Sequence, residues 1–403
     1  MLQRPVAMTI AGSDSGGGAG IQADLKTFTS LGVFGVSVIT GLTAQNTARV
    51  TKVLDVPPEF VESQFDTIME DFQVRFAKTG MLASTKIVEA VERKVTQYRI
   101  NLVLDPVMIS KSGYPLVTEE VVRDIMRLAR KALIITPNKY EAERLTGFRI
   151  RTKEDLRNTA IHLHRTLGIN VVVKGGKAIG GYDFAVVDGD EIELRGELIN
   201  TDNLHGSGDV FSASITAFLS KGRDLKEALR EAKKIVTEAI RYSLSMGHGN
   251  GPVDPFSSVE RVVRINEARD DLEKLVEFLE RNKEIVKKMI SHEEKMNVGL
   301  LTEYGDFATL AGGIIRYIDW IKVDGPIVVN WYTNLVYKAL KLTGKKLGVS
   351  VSLTNEILKA CEGGKLKISE SGIYGDLVMI DGRAVLVGNS LSEIIEKLEV
   401  LRA

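Results

Sequence analysis

The chain has 403 residues, more than the roughly 250–300 that one hydrophobic core usually supports, so its length predicts two domains. Its 53 basic and 53 acidic residues cancel, which gives no reason to expect nucleic acid or an anionic membrane as a partner. No apolar run approaches the ~20 residues that cross a bilayer, no signal-peptide layout is visible, and a single cysteine, Cys361, excludes an internal disulfide. We therefore expect a cytoplasmic enzyme.

The first part of the chain alternates apolar runs with helical patterns. The pattern predicts a strand at residues 6–11, a glycine loop at 12–20 and a helix at 21–31. The later strand-like runs are 36–40, 76–82, 101–108, 132–138 and 170–176, followed by a hairpin at 182–199. Because these runs are continuously apolar, they predict a largely parallel sheet covered on both faces, with ligands at the carboxyl ends of its strands.

The second part of the chain has a different pattern of charged and apolar residues. Residues 258–290 are highly charged, with apolar residues at helical spacing, and predict two amphipathic helices separated by a break. A smaller mixed α/β region follows and ends in a helix at 392–401. We predict one domain at residues 1–257 and a second at 258–403.

A turn of small residues, His205-Gly206-Ser207-Gly208-Asp209, precedes a long apolar helix. Helix N-termini offer unpaired amides that suit phosphate, and an acid there is placed to take a proton from an attacking hydroxyl. Asp209 is equally well explained as a helix cap. The turn alone leaves the two interpretations open.

Several motifs together resemble the hydroxymethylpyrimidine and hydroxymethylpyrimidine phosphate kinases, which belong to the ribokinase-like superfamily. The resemblance covers roughly residues 5–255. It rests on segments 9–27, 43–47, 78–82, 104–108, 111–113, 136–141, 174–176 and 247–252. It implies a three-layer α/β/α domain with a mainly parallel sheet, which phosphorylates 4-amino-5-hydroxymethyl-2-methylpyrimidine and then its monophosphate with ATP and Mg²⁺ in thiamine biosynthesis.

The resemblance also implies roles for individual residues. Asp24 and Gln45 would hydrogen-bond the pyrimidine, whose ring would be lined by Gly12, Met81, Val107 and Met108. From the residues alone, Asp24 is better explained as a solvated helix residue and Gln45 as a strand-end cap.

The nucleotide side of the site is implied in the same way. Asn138 and Glu141 would organise Mg²⁺ and phosphate, largely through water, with support from Asp105. Lys174 would place its charge near the ATP phosphates. Gly206, Ser207 and Gly208 would form the anion hole, and Asp209 would be the base.

The sequence departs from the family pattern at Asp209, where many members carry cysteine and sugar kinases of the superfamily carry aspartate. A carboxylate is adequate for the same task. The departure leaves pyridoxal-like rings and sugars open as alternative substrates. Relatives commonly dimerise, so we expect a homo-oligomer.

The second domain resembles, in outline, the thiamine phosphate synthase domain fused to this kinase in some archaeal and thermophilic proteins. The similarity rests on segments 297–299, 312–316 and 372–376. A histidine motif expected in mid-domain is replaced by residues 331–336, and His292 is the only histidine of the region. The domain either condenses the pyrimidine diphosphate with thiazole phosphate or binds a ligand without catalysis. Arg316 is its candidate phosphate contact.

Overall fold

The computed structural model describes residues 3–109, 116–291, 294–317, 320–369 and 375–402. The chain divides into two compact units, one ending at Ser258 and the other beginning at Val259. The boundary predicted between residues 257 and 258 lies one residue away. Residues 111–113, His292 and residues 372–374, which the sequence analysis singled out, lie outside the described residues.

The first unit contains a large sheet and its covering helices. Its strands are β1 (Val6–Asp14), β2 (Phe34–Gln45), β3 (Val50–Asp55), β4 (Phe76–Thr79), β5 (Asn101–Leu104), β6 (Ile134–Ile135), β7 (Asn170–Lys174), β8 (Tyr182–Val187) and β9 (Asp190–Arg195). Its helices are α1 (Gly20–Ser30), α2 (Pro58–Asp71), α3 (Thr85–Gln97), α4 (Glu119–Ala129), α5 (Lys139–Thr146), α6 (Lys153–Leu167), α7 (Ser207–Ser220) and α8 (Leu225–Arg241). Within the described residues the strand order is β3-β2-β1-β4-β5-β6-β7-β8-β9.

The centre of this sheet is parallel and its edges are antiparallel. Strands β2, β1, β4, β5, β6 and β7 pair in parallel, while β3, β8 and β9 pair antiparallel with their neighbours. The β8–β9 hairpin was predicted. The β2–β3 hairpin was missed, because β3 is largely exposed and lacks an apolar pattern.

Helices cover both faces of the sheet, as predicted. One buried cluster joins the sheet to α2, α3, α4 and α6, and others join it to α1, α7 and α8. The apolar strands are continuous because both of their faces are buried. The prediction of a three-layer α/β/α unit with a mainly parallel sheet is therefore confirmed.

The second unit is a smaller mixed α/β structure, also as predicted. Its helices are α9 (Ser257–Arg281), α10 (Lys283–Met289), α11 (Leu335–Thr343), α12 (Asn355–Glu362) and α13 (Leu391–Glu399). Its strands are β10 (Lys295–Met296), β11 (Val298–Leu301), β12 (Phe307–Leu310), β13 (Gly313–Arg316), β14 (Ile321–Asp324), β15 (Ile327–Val329), β16 (Leu347–Val351), β17 (Ile368–Ser369), β18 (Leu377–Ile380) and β19 (Arg383–Gly388).

Two sheets organise these elements within the described residues. One has the order β15-β12-β11-β16-β19-β18-β17 and the other β10-β13-β14. The predicted break in the charged helix lies at Asn282, between α9 and α10. Apolar side chains of both helices are buried in one cluster with residues of the two sheets, which explains their helical spacing. Among the described helices, none is both long enough and apolar enough to cross a membrane.

In the first unit, the glycine loop packs directly on the turn before α7. Gly206 has φ +80, and a Cβ there would lie 1.9 Å from the carbonyl oxygen of Gly18. Glycine is therefore required at Gly206 both by its left-handed backbone and by this close approach. The contact fixes the glycine loop against the start of α7.

We predict that Gly206→Ala lowers the melting temperature far more than Gly222→Ala. Both glycines have left-handed backbones, but a Cβ at Gly222 (φ +83) meets nothing within 4 Å. Gly222→Ala should cost only the conformational penalty, about 1–2 kcal/mol, whereas Gly206→Ala also forces the backbone apart. Thermal unfolding of the two variants tests this, and equal losses would contradict the packing argument.

Candidate active site

The start of α7 presents an acid and free amides at the carboxyl edge of the sheet. Gly206 occupies the N-cap position and makes no side-chain cap, while Asp209 lies in the first turn. The amide of Ser207 donates to the carbonyl of Leu204 (3.2 Å), so it is not free for an anion. Helix geometry leaves the following amides, of Gly208 and Asp209, to face a ligand. Asp209 is thus not the helix cap, which was the alternative explanation.

Lys174 lies beside this helix start, at the end of β7. A Cβ on Gly208 would lie only 3.4 Å from the Lys174 ammonium. The ammonium pairs with Asp105 at 3.0 Å, and Thr136 and Ser212 donate to the same carboxylate at 3.0 and 3.1 Å. Burial alone would lower the pKa of Lys174, but the adjacent carboxylates raise it overall. The ammonium and the helix amides together make an electropositive site for an anion.

A second buried ion pair lies on the other side of Asp209. The ammonium of Lys78, at the end of β4, contacts Asp24 at 2.8 Å and Asp209 at 3.1 Å. The second oxygen of Asp24 accepts from Thr9 at 2.6 Å. Burial raises the pKa of Asp24 to about 7, with Lys78 opposing this shift. Both Asp24 oxygens are engaged and the side chain is fully buried, so the structure does not bring Asp24 to a ligand.

A third cluster joins the glycine loop to the turn before α7. The carboxylate of Asp14 accepts the amides of Gly16, Gly18 and Ala19 at 2.8, 3.1 and 2.9 Å. It also contacts His205 Nε2 at 3.0 Å, and the side chain of Gln45 lies 3.3 Å from the same nitrogen. The structure therefore brings Gln45 to the glycine loop, at the end of β2.

The residues predicted to line a ring separate into two groups. Gly12 and Met81 are in contact, because a Cβ on Gly12 would lie 2.5 Å from Met81 Cε. Val107 is half-buried. Met108, in contrast, is fully buried in the core between sheet and helices. The structure brings Gly12 and Met81 together at the strand ends and leaves Met108 in the core.

Asn138 and Glu141 form a reciprocal cap at the start of α5. The Asn138 side chain accepts the Glu141 amide at 3.0 Å, and the Glu141 carboxylate accepts the Asn138 amide at 2.8 Å. Burial raises the pKa of Glu141 to about 7, while Lys174 opposes the shift. Within the described part of the chain, no group of three or more His, Cys, Asp or Glu residues is arranged to hold a metal ion.

Sequence reasoning missed the roles of Lys78, Asp14, Thr136 and Ser212. A signal for Lys78 was present, because it stands in an apolar strand and lysine is almost never fully buried unless it is paired. Asp14 stood in the glycine loop, where a carboxylate can gather loop amides. Thr136 and Ser212 gave no comparable signal.

The fold and site together define a ribokinase-like kinase. Bacillus subtilis pyridoxal kinase, solved as an ADP complex, superposes with a TM-score of 0.60 and 35% identity, over 64% of this chain and 99% of that chain. Phosphomethylpyrimidine kinase from Clostridium difficile superposes with a TM-score of 0.52 and 38% identity, over 59% of this chain and 100% of that one.

The phosphomethylpyrimidine kinase family matches residues 14–254, and the chain belongs to this family. The hydroxymethylpyrimidine/phosphomethylpyrimidine kinase of Haemophilus influenzae is 42% identical over 62% of this chain and 96% of its own length. The thiamine biosynthesis bifunctional protein ThiED of Geobacter sulfurreducens is 44% identical over 64% of this chain. The chain spans only 54% of that bifunctional protein.

We predict that Asp14→Asn destabilises the protein in a pH-dependent way. Burial alone would raise the pKa of Asp14, but hydrogen bonds from His205 and the loop amides lower it overall. A lowered pKa stabilises the folded state above the unfolded value, near 3.8, and this contribution disappears as pH falls through the folded value. Asp14→Asn should cost about 2 kcal/mol at pH 7.

The measurement is the melting temperature of both proteins between pH 7 and pH 3. The gap between them should be constant at neutral pH and shrink below about pH 4. Asp202→Asn is the control, since that side chain is 94% exposed. A gap that stays constant down to pH 3 would count against the role given to Asp14.

Proposed function

We propose that the first unit transfers phosphate from ATP to 4-amino-5-hydroxymethyl-2-methylpyrimidine and then to its monophosphate. Membership of the phosphomethylpyrimidine kinase family supports the substrate class. The observation that carries the proposal is the position of Asp209, between the Lys78 ammonium and the α7 amides that lie beside Lys174.

In the first step, the substrate hydroxyl oxygen attacks the γ-phosphorus, and the bond to the β-phosphate oxygen breaks to release ADP. Asp209 takes the hydroxyl proton. The amides of Gly208 and Asp209, together with Lys174, stabilise the negative charge on the transferred group. The second acceptor is an ionised phosphate that has no proton to remove, so Asp209 matters less for the second step.

The pyrimidine site would lie at the ends of β1, β2 and β4. Gln45 is partly exposed, and its amide, which contacts His205 in the structure, would turn to the edge of the ring. Gly12 and Met81, which pack on one another, would lie against the ring face. Asp24 is occupied by Lys78 and Thr9, so ring recognition falls mainly to Gln45.

The nucleotide would bind near Lys174 and the start of α5. Staphylococcus aureus pyridoxal kinase, 31% and 32% identical, has been solved with AMP-PCP and with ADP. The donors near Lys174 are oxygens, and the described residues offer no cage of several carboxylates. This set suits Mg²⁺, which keeps several waters. Asn138 and Glu141 would hold Mg²⁺, mainly through water, and the ion would neutralise phosphate charge.

Pyridoxal is a second candidate substrate. Solved relatives of similar fold are pyridoxal kinases at 35% and 30% identity. Pyridoxal is a flat ring with a hydroxymethyl group, so Asp209 would remove the hydroxyl proton in the same way. Turnover of pyridoxal alongside the pyrimidine measures how strictly Gln45 selects the ring.

We predict that Asp209→Asn lowers kcat for the hydroxymethylpyrimidine by about 10²–10⁴-fold, the usual contribution of a general base. Phosphorylation of the monophosphate should fall much less, because that acceptor is already ionised. Both steps are measured as separate product appearances by mass. Equal losses in a folded variant would contradict the role of Asp209 as base.

For the second unit, we propose binding of a phosphorylated ligand of the thiamine pathway, either for condensation with the pyrimidine diphosphate or for regulation. A cavity of about 270 Å³ supports this, lined in part by Trp331 and Asn334 of the segment that replaces the expected histidine motif. Asn334 donates to Thr309 at 2.8 Å, and Thr309 donates to Asn297 at 3.0 Å. A polar network of this kind suits a small polar ligand.

The structure favours a different candidate for the phosphate contact from the one that the sequence suggested. Arg316 donates to the carbonyls of Lys287 and Ile290 at the end of α10, so its guanidinium serves that helix terminus. The cations that line the cavity are Lys295 and Arg383. Both are exposed, but Lys295 lies 3.7 Å from the carboxylate of Asp324. Arg383, whose guanidinium can bind phosphate through two hydrogen bonds, is the better candidate for a phosphate contact.

We predict that Arg383→Gln weakens binding of thiazole phosphate or thiamine phosphate by roughly 10- to 100-fold, the worth of a charge-assisted hydrogen bond. Titration calorimetry on the full chain measures this. Arg281→Gln, at the C-terminal end of α9 where the side chain is 80% exposed, is the control and should bind normally. Unchanged binding in Arg383→Gln would exclude the contact, and absence of binding to the unaltered chain would exclude the proposed ligands.

A further inference from the structure

We propose that Lys78 is a positioning residue for the first phosphorylation. It holds one oxygen of Asp209 so that the other faces the substrate hydroxyl. The inference rests on the proposed role of Asp209 as base. Lys78 itself touches no substrate, because its side chain is fully buried. It acts through Asp209.

The burial of Lys78 is the first observation. Its side chain is 0% exposed and is among the largest fully buried side chains of the chain. Taking an ammonium out of water is costly, and such a group is found buried when it is paired and hydrogen-bonded. A methionine at this position would fill similar space in the apolar strand without a charge. The charge therefore calls for an explanation beyond packing.

The partners of Lys78 come from two separate helices. Asp24 lies on α1 and Asp209 on α7, at 2.8 and 3.1 Å from the ammonium. Thr9, on β1, holds the other oxygen of Asp24 at 2.6 Å. Asp24 is thus fixed by two bonds, and it fixes the ammonium in turn. This arrangement anchors Lys78 independently of Asp209.

Asp209 is held only on one side. Its Oδ1 contacts Lys78, and no described residue hydrogen-bonds to its Oδ2. The side chain keeps 14% exposure, whereas Asp24 and Lys78 keep none. One oxygen is therefore fixed from inside the protein, while the other is left available to a substrate group. This is the arrangement that a base needs when it must meet one particular hydroxyl.

The charges of the cluster support the same role. One ammonium faces two carboxylates, and Asp105 adds a third at longer range. Without Lys78, the buried Asp24 would take up a proton, and Asp209 would lose the cation that holds its Oδ1. Asp209, the more exposed of the two, would turn away toward solvent. The expected consequence is a misplaced base rather than a lost binding site.

A double-mutant cycle tests the inference. The variants are Asp209→Asn, Lys78→Met and the double variant, with kcat and KM measured separately for the hydroxymethylpyrimidine and for its monophosphate. Lys78→Met should lower kcat of the first step by about 10²-fold or more, with KM changed little and the second step reduced much less. The double variant should be no slower in the first step than Asp209→Asn alone, because both changes disable one group.

Two further variants separate positioning from folding. Lys78→Met leaves Asp24 buried without its cation. The variant Lys78→Met with Asp24→Asn removes one positive and one negative charge, so it leaves the net charge of the cluster unchanged and should show the same loss if the first variant unfolds. Lys94→Met is the matched control, because Lys94, on α3, is also largely buried and pairs with Asp66 of α2 at 2.7 Å. It should leave both steps unchanged.

Each outcome has one meaning. Multiplicative losses in the double variant, or equal losses of both steps in folded Lys78→Met, would overturn the positioning role in favour of a purely structural one. A full first step in Lys78→Met beside a slow Asp209→Asn would overturn the inference and leave the proposed function intact. A full first step in Asp209→Asn would instead overturn the proposed base.

Discussion

The active site of the first unit depends on the contact between Gly206 and the carbonyl oxygen of Gly18. A side chain at Gly206 would meet that oxygen at 1.9 Å, so the glycine loop and the start of α7 fit only when both are bare backbone. Asp14 strengthens the same junction by gathering three loop amides and His205. The glycine loop and the start of α7, nearly two hundred residues apart in sequence, are thereby fixed to one another. The first amides of α7 are therefore held in a defined position.

Buried ion pairs complete this arrangement at the strand ends. Lys174 is held by Asp105 on one side of the α7 start, and Lys78 is held by Asp24 on the other. Each lysine stands at the end of an apolar parallel strand, where it would be unstable without its carboxylate. The pairs set the positions of positive charge before any ligand binds. Preorganised charge of this kind contributes to catalysis because it need not rearrange during the reaction.

The sequence was sufficient to predict the parallel sheet, the covering helices and a break within the charged helix, because each depends on a local apolar pattern. It also predicted that Asp209, Lys174 and Gln45 lie at strand or helix ends. The β2–β3 hairpin was not predictable in the same way, since β3 is exposed and carries no such pattern. The pairing of Asp24 with Lys78 was not predictable, because the two residues are 54 positions apart and neither segment identifies its partner. Met108 was assigned to the site from its motif, but its side chain points into the core.

In the second unit, the sequence pattern predicts the fold but not the cavity. Its fold follows from the same amphipathic patterns, while its cavity brings together Trp331, Asn334 and Thr309 from segments that carry no family motif. The family match at residues 14–254 concerns the first unit. The kinase reaction and the fate of its product are therefore separate questions, and one experiment addresses both.

That experiment is a single incubation of the full chain with Mg-ATP, the hydroxymethylpyrimidine and thiazole phosphate, with each product resolved by mass. We expect the pyrimidine monophosphate to appear first and the diphosphate next. Thiamine phosphate in addition would assign condensation to the second unit, and its absence would assign that unit to ligand binding. If the pyrimidine is recovered without any phosphate, the account of the first unit is contradicted.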